Sequence, residues 1–150
     1  ALDLIRDGKR SSIPFYGRLN MFFYDPKWKK KLPYYDTFPL VLPIEKYSDG
    51  FLGINMHYLP IPLRIRLLDR LVDFSNNTKF DESTKLIVNY SKLKNVRLIK
   101  PTLHRYLAGH TKSQFRRIDA DEFTIATLLP VQRFKKASET SVWSDSRKMI

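Results

Sequence analysis

The chain has 150 residues, 43% hydrophobic and 13% aromatic, which excludes a disordered protein and leaves room for one domain with a single core. Its 27 Lys and Arg against 15 Asp and Glu give a formal charge of +12, a field that draws nucleic acid, anionic membrane or an acidic protein partner. The absence of cysteine excludes a disulfide framework, a thiolate zinc site and a cysteine nucleophile, and no apolar run approaches the roughly 18 residues of a membrane span.

Residues 1–14 read as an N-terminal arm: Leu2, Leu4 and Ile5 give a short apolar register before the polar, basic Asp7-Gly8-Lys9-Arg10-Ser11-Ser12. A single α+β domain is expected over residues 15–130. Residues 17–24 favour a strand, stopped by the turn opener Asp25-Pro26. Residues 38–47 predict a second strand, and Pro39 and Pro43, which remove ladder donors, place it at an edge or bend it. Ser48-Asp49-Gly50 supplies a tight turn with Gly50 at positive φ, and residues 51–58 follow as a third strand with Gly53 marking a bulge or a close backbone approach. These strands make a small curled antiparallel sheet, compatible with a barrel of the SH3-like type, packed with three or more helices.

From residue 59 the period changes. Leu63, Leu67, Leu68, Leu71 and Val72 share one face of an amphipathic helix over 59–74, with Arg64, Arg66, Asp69, Arg70 and Asp73 off it. Ser83 caps a second predicted helix carrying Leu86, Tyr90 and Leu93, and a third starts at Pro101 or Thr102, turns Leu103, Tyr106 and Leu107 inward and stops at Gly109. A short strand is expected over 114–118 and a short helix over 121–129. Residues 131–150 read as a polar C-terminal tail with the isolated anchors Phe134, Val142 and Trp143.

Little in the chain looks like reaction chemistry. His57, His104 and His110 have no partner at helical spacing, no phosphate-binding glycine motif occurs, and Asp36, Glu45 and Asp49 sit beside turns, where carboxylates solvate or cap. No catalytic or metal-binding residue is therefore assigned. His57 is expected at a strand end, packed beside Tyr58. The basic residues are the better signal, because Lys and Arg neutralise phosphates and exposed aromatics stack on bases. Lys27, Trp28, Lys29, Lys30 and Lys31 form one knot. Arg64, Arg66 and Arg70 lie on the first helix, Arg116 and Arg117 on the late strand, and Lys135 and Lys136, followed by Arg147 and Lys148, in the tail. The knot is either a surface held out to an acidic polymer or the wet tip of a hairpin. Pro33-Tyr34-Tyr35-Asp36-Thr37-Phe38-Pro39 beside it reads as scaffold.

Read in order, Tyr24-Asp25-Pro26-Lys27, Leu32-Pro33-Tyr34-Tyr35-Asp36, Phe38-Pro39-Leu40, Asp49-Gly50-Phe51-Leu52-Gly53-Ile54-Asn55 and His57-Tyr58-Leu59-Pro60 resemble a family of small virion proteins of T-even-type contractile-tailed phages. Arg105-Tyr106-Leu107, Leu128-Leu129-Pro130-Val131 with Phe134, and Asp145-Ser146-Arg147-Lys148 extend the resemblance over nearly the whole chain. It implies a DNA end protector, a late, non-enzymatic protein at packaged genome termini near the head–tail junction. It also implies other virion subunits and double-stranded DNA ends as partners, a place in the virion, and no cofactor, membrane or small-molecule substrate. A neck, tail or baseplate subunit whose basic patches meet acidic neighbours is the alternative, and a virion nuclease the third reading.

Overall fold

A two-residue loop, Ser48-Asp49, joins the two longest strands among the described residues, β4 (Leu40–Tyr47) and β5 (Gly50–Asn55), with Tyr47 opposite Gly50. The computed structural model, which describes residues 2–75, 86, 88 and 90–150, builds a larger sheet around this hairpin. The remaining elements are β1 (Arg10–Ser11), β2 (Leu19–Met21), β3 (Tyr35–Asp36), α1 (Ile61–Ser75), α2 (Tyr90–Leu93), β6 (Leu103–Leu107), β7 (Phe115–Ile118), α3 (Phe123–Leu128), β8 (Phe134–Lys135) and α4 (Glu139–Met149). Six strands pair antiparallel in the order β1-β7-β2-β4-β5-β6, and β3 pairs with β8 as a separate two-stranded ribbon. The α+β class holds. The three-stranded curled sheet and the barrel do not, because β1, β7 and β6 extend the sheet outward and leave it open.

Each departure has a local cause. The third expected helix is instead a 3-10 segment, Arg97–Thr102, running into β6. Leu103, Tyr106 and Leu107 fit a helical period, but so short an apolar run also fits a strand, and the open edge of β5 pairs with it from Ile54↔Leu103 to Gly50↔Leu107. Gly50 therefore lies inside a strand and not at positive φ; the glycine in that conformation is Gly17, at 79°. What requires glycine at 50 is the crossing of β6, since a Cβ there would fall 1.8 Å from the Tyr106 carbonyl oxygen. A Cβ on Gly53 would meet Val41 at 2.3 Å, so this position is indeed a close approach. Pro39 precedes β4, which is not the expected edge strand but lies between β2 and β5, and Pro43 is tolerated inside it because the strand is irregular there. Strand β2 pairs only with Leu40 and Val41, and the register slips between Pro43 and Glu45, so Pro43 sits where that side of β4 has lost its neighbour.

The N-terminal segment expected to be an arm joins the sheet. Arg10 and Ser11 pair with Arg116 and Phe115, Ile5 is buried, and Arg6 reaches Glu122 at 2.8 Å and Asp121 at 2.6 Å. Much of the expected tail is likewise ordered. Ser138 caps α4 by accepting from the Ser141 N–H at 3.2 Å, and the helix buries Val142 and Ser146. The second expected helix falls largely outside the described residues; within them, α2 contributes the buried Leu93, and Leu86 is buried too.

The sheet carries a core on each face. Leu19, Leu40, Leu42 and Ile54 pack with Leu67, Leu68 and Leu71 of α1, while Phe22, Tyr24, Val41, Phe51, Tyr106 and Phe115 form an aromatic cluster on the other side. Alternation along β4 produces this division, Leu40 and Leu42 pointing one way and Val41 the other. Leu67 is fully buried, so Leu67→Ala should lower stability by about 3 kcal/mol, read from the urea midpoint. An unchanged midpoint would mean that α1 does not close this core.

Candidate nucleic-acid interface

Strands β2 and β4 are paired at Met21↔Leu40, so residues 22–39 form one long excursion between neighbouring strands. Excursions beyond about 12–15 residues are uncommon in compact domains and are usually functional or disordered. This one is fastened. Tyr24 bridges Thr111, the Asp25 N–H donates to the His110 carbonyl at 3.0 Å, and His110 Nδ1 donates back to the Asp25 carbonyl at 3.0 Å. At its far end Tyr35 and Asp36 pair with Lys135 and Phe134, and the Thr37 N–H donates to the Arg133 carbonyl at 2.9 Å.

The lysine knot lies between these two fastenings. It closes a turn in which the Lys31 and Leu32 N–H groups donate to the Trp28 carbonyl at 2.9 and 3.0 Å. Lys136, held at a φ of 71°, sends its amine to the Lys29 and Leu32 carbonyls at 2.5 and 2.8 Å. Lys27, Lys29, Lys30 and Lys31 are all exposed, and the amines of Lys27 and Lys31 stand 4.9 and 5.2 Å from the Trp28 ring centre. Lys29 pairs with Asp25 at 3.0 Å; among the described residues no carboxylate lies within ion-pair distance of Lys27, Lys30 or Lys31. The knot is thus a fixed cationic platform around an exposed indole, not a free hairpin tip.

The platform is anchored from beneath by Asp36, which the sequence suggested as a solvated turn residue. Asp36 is buried. Its Oδ1 accepts from the Phe38 and Arg133 N–H groups at 3.0 and 3.1 Å, and its Oδ2 accepts from Asn55 Nδ2 at 3.0 Å and His57 Nδ1 at 2.8 Å. Burial works against the charged carboxylate, but His57 and these donors outweigh it and hold Asp36 below the usual carboxylate range. The residue therefore joins β3, β5 and the segment before β8 at one point. His57 sits in the 3-10 turn Met56–Tyr58 that follows β5, its ring committed to Asp36; the ring of Tyr58 stacks on His104 instead.

The other expected interface residues divide sharply. Lys135 and Lys136 join the knot through the β3–β8 ribbon. Arg66 and Arg70 are exposed on α1. Arg116 and Arg117 are half-buried on β7 and already engaged, Arg116 with the Arg6 carbonyl at 3.0 Å and Arg117 with Asp119 at 2.6 Å. Arg64, expected off the apolar face and on the interface, is fully buried. Its guanidinium donates to the carbonyls of Leu59 at 2.7 Å, Thr127 at 3.3 Å and Leu129 at 3.4 Å and to Gln132 Oε1 at 3.1 Å, so it clamps α1 to the end of α3. Burial lowers its pKa to about 10, which still leaves it charged at neutral pH. Arg64 is structural, and no ligand can reach it.

Two cations missed in the sequence face the same region. Arg105 of β6 is exposed, pairs with Asp49 at 2.7 Å and lies with Lys27 and Trp28 around one cavity; Lys112 follows the Tyr24–Thr111 bridge and donates its N–H to the Phe23 carbonyl at 2.7 Å. No local pattern marks Arg105, because its place depends on β6 being a strand. Among the described residues no three His, Asp or Glu side chains converge as a metal site requires.

The model of one known family matches residues 3–147 of this chain; its description is phage T4 terminal DNA protecting protein. Comparison with curated proteins and comparison with solved structures each give no match. Because the match spans almost the whole chain, its two-stranded ribbon and sheet together, the protein belongs to the family of phage T4 terminal DNA protecting proteins, which protect genome ends in a generally non-catalytic role.

Proposed function

We propose that this chain shields DNA ends by binding alone, with Lys27, Lys29, Lys30, Lys31 and Lys135 gripping terminal phosphates on a platform that Lys136 locks. The observation that carries this reading is the locking of the lysine turn by Lys136 and by the β3–β8 ribbon, which holds several cations in one place before any ligand arrives. Preorganised cations lose little freedom on binding, and each neutralised phosphate releases counterions. Arg66 and Arg70, exposed on α1, can extend the phosphate track or meet other virion subunits. The setting proposed is the virion, at packaged ends near the head–tail junction.

A quadruple Lys→Gln variant at 27, 29, 30 and 31 tests this. The slope of log affinity for linear DNA against log salt should shrink by about 0.9 for every phosphate that the variant no longer neutralises. The effect should depend little on sequence, since groups that meet phosphates position a protein without reading bases. An unchanged slope would remove the lysines from the DNA interface. If incorporation into particles failed at the same time, the knot would be a docking surface for an acidic virion subunit.

A further inference from the structure

Between the lysine turn and the outer strand β6 lies a cavity of about 420 Å3. Its wall is unusually rich in rings: Tyr24, Trp28, Tyr35, Tyr58, His104 and Tyr106 all face it, with Lys27 and Arg105 at its sides. The volume falls within the roughly 300–1,000 Å3 typical of small-molecule sites, the size class of a single nucleotide. A duplex is far too wide to enter.

Resting on the end-binding reading, we propose that this cavity takes the terminal nucleotide of one DNA strand, unpaired from its complement and stacked on the aromatic wall. Three observations converge on that ligand. First, the wall is aromatic and firm, its tyrosines buried against one another and only their remaining edges turned to the cavity. Tyr58 and His104 stack at 4.1 Å between centroids, Tyr24 and Tyr106 meet edge-on at 5.0 Å, and the Tyr24 hydroxyl is fixed by the Leu107 N–H at 2.8 Å. His104 is an uncharged member of this wall, since burial pushes its imidazole down to about 4. Second, Trp28 is 56% exposed at the rim with lysine amines against its ring, which leaves an aromatic surface open to a ligand beside cations. Third, the cations lie beside the rings and not among them, with Lys27 standing against the face of Trp28 and the knot continuing outward through Lys29, Lys30 and Lys31. A base among the rings places its phosphates toward those amines.

The binding mode explains selectivity for ends without sequence reading. Every base has a stackable face, so the wall accepts any of the four. A strand terminus can give up its pairing partner and turn into such a cleft at smaller cost than an internal nucleotide, which must be flipped out of the stack. With its last nucleotide sequestered, an end offers an exonuclease nothing to grip.

The test uses the intact protein and short duplexes bearing one unpaired terminal nucleotide, either 2-aminopurine or an abasic sugar phosphate, with closed circular DNA as competitor. The base-bearing end should bind about tenfold more tightly than the abasic end, the size expected of one base–aromatic stack, and 2-aminopurine emission should fall on binding. Trp28→Ala should reduce that preference from about tenfold toward parity between base-bearing and abasic ends. Equal affinity for base-bearing and abasic ends, with circles still binding more weakly, would overturn the cavity assignment and leave the end-binding reading standing. Equal affinity for linear and circular DNA would overturn both.

Discussion

Arg64→Met should cost about 3–5 kcal/mol of folding stability, more than any surface charge on the chain. Methionine fills similar space, so the loss comes from polar groups and not from a void. The carbonyls of Leu59 and Thr127 lose the Arg64 donor inside the fold, and each buried acceptor left unpaired costs about 1–3 kcal/mol, while the Leu129 carbonyl keeps the Val131 N–H at 3.0 Å. Release of the guanidinium from burial offsets part of this. The His57 carbonyl, which Arg64 Nη2 reaches at 3.5 Å, is spared, because Trp143 Nε1 also donates to it at 2.9 Å. Arg64→Lys should recover little, since an ammonium on a flexible stem cannot fan its donors as the planar fork does. Urea midpoints of the two variants decide the matter. A loss below about 1 kcal/mol for the methionine variant would show that the carbonyls find other donors.

The second large effect is expected at Asp36. Asp36→Asn keeps the shape but turns an amide toward groups that all donate, namely Asn55 Nδ2, His57 Nδ1 and the Phe38 and Arg133 N–H groups. Breaking a buried charge-assisted cluster of this kind costs about 3–5 kcal/mol. The effect has a pH signature. The folded state holds this carboxyl below its unfolded value, so its stabilisation is complete above the ordinary carboxylate pKa of about 3.9 and is lost as pH falls toward the lowered folded value. The stability gap between wild type and Asp36→Asn should therefore stay constant from neutral pH to about pH 5 and narrow below about pH 4. A gap that widened on acidification would mean that Asp36 is protonated in the folded protein. Because Asp36 fastens the ribbon under the lysine knot, the variant should also weaken DNA binding more than its distance from the amines suggests.

The sequence carried the local features well. The hairpin of β4 and β5, the helix from Ile61 and the buried Leu67, Leu68 and Leu71 follow from the change of period between residues 58 and 63. Lys27 to Lys31 were legible as a surface because four lysines in five residues cannot be buried. The motifs between Tyr24 and Pro60 were enough to suggest the family. Local patterning misled where it is ambiguous by nature. Leu103, Tyr106 and Leu107 read as one face of a helix, and pairing with the open edge of β5 made them a strand instead.

By itself, then, the chain determined its charge, its α+β character and the residues that must stay wet. Tertiary structure decided which polar groups had to be dry. Arg64 sits on α1 among arginines that look alike, yet it meets carbonyls 63 and 65 residues away at the end of α3. Asp36 accepts from a backbone 97 residues distant, and Lys136 closes a turn 104 residues before it. The cavity beside Trp28 exists because the excursion after β2 with its strand β3, the loop between β4 and β5 and the outer strand β6 converge there. Hydrophobic period is written residue by residue, whereas a buried donor or acceptor is placed by partners brought from elsewhere in the chain, and the need to satisfy each of them inside the fold is what fixed this site.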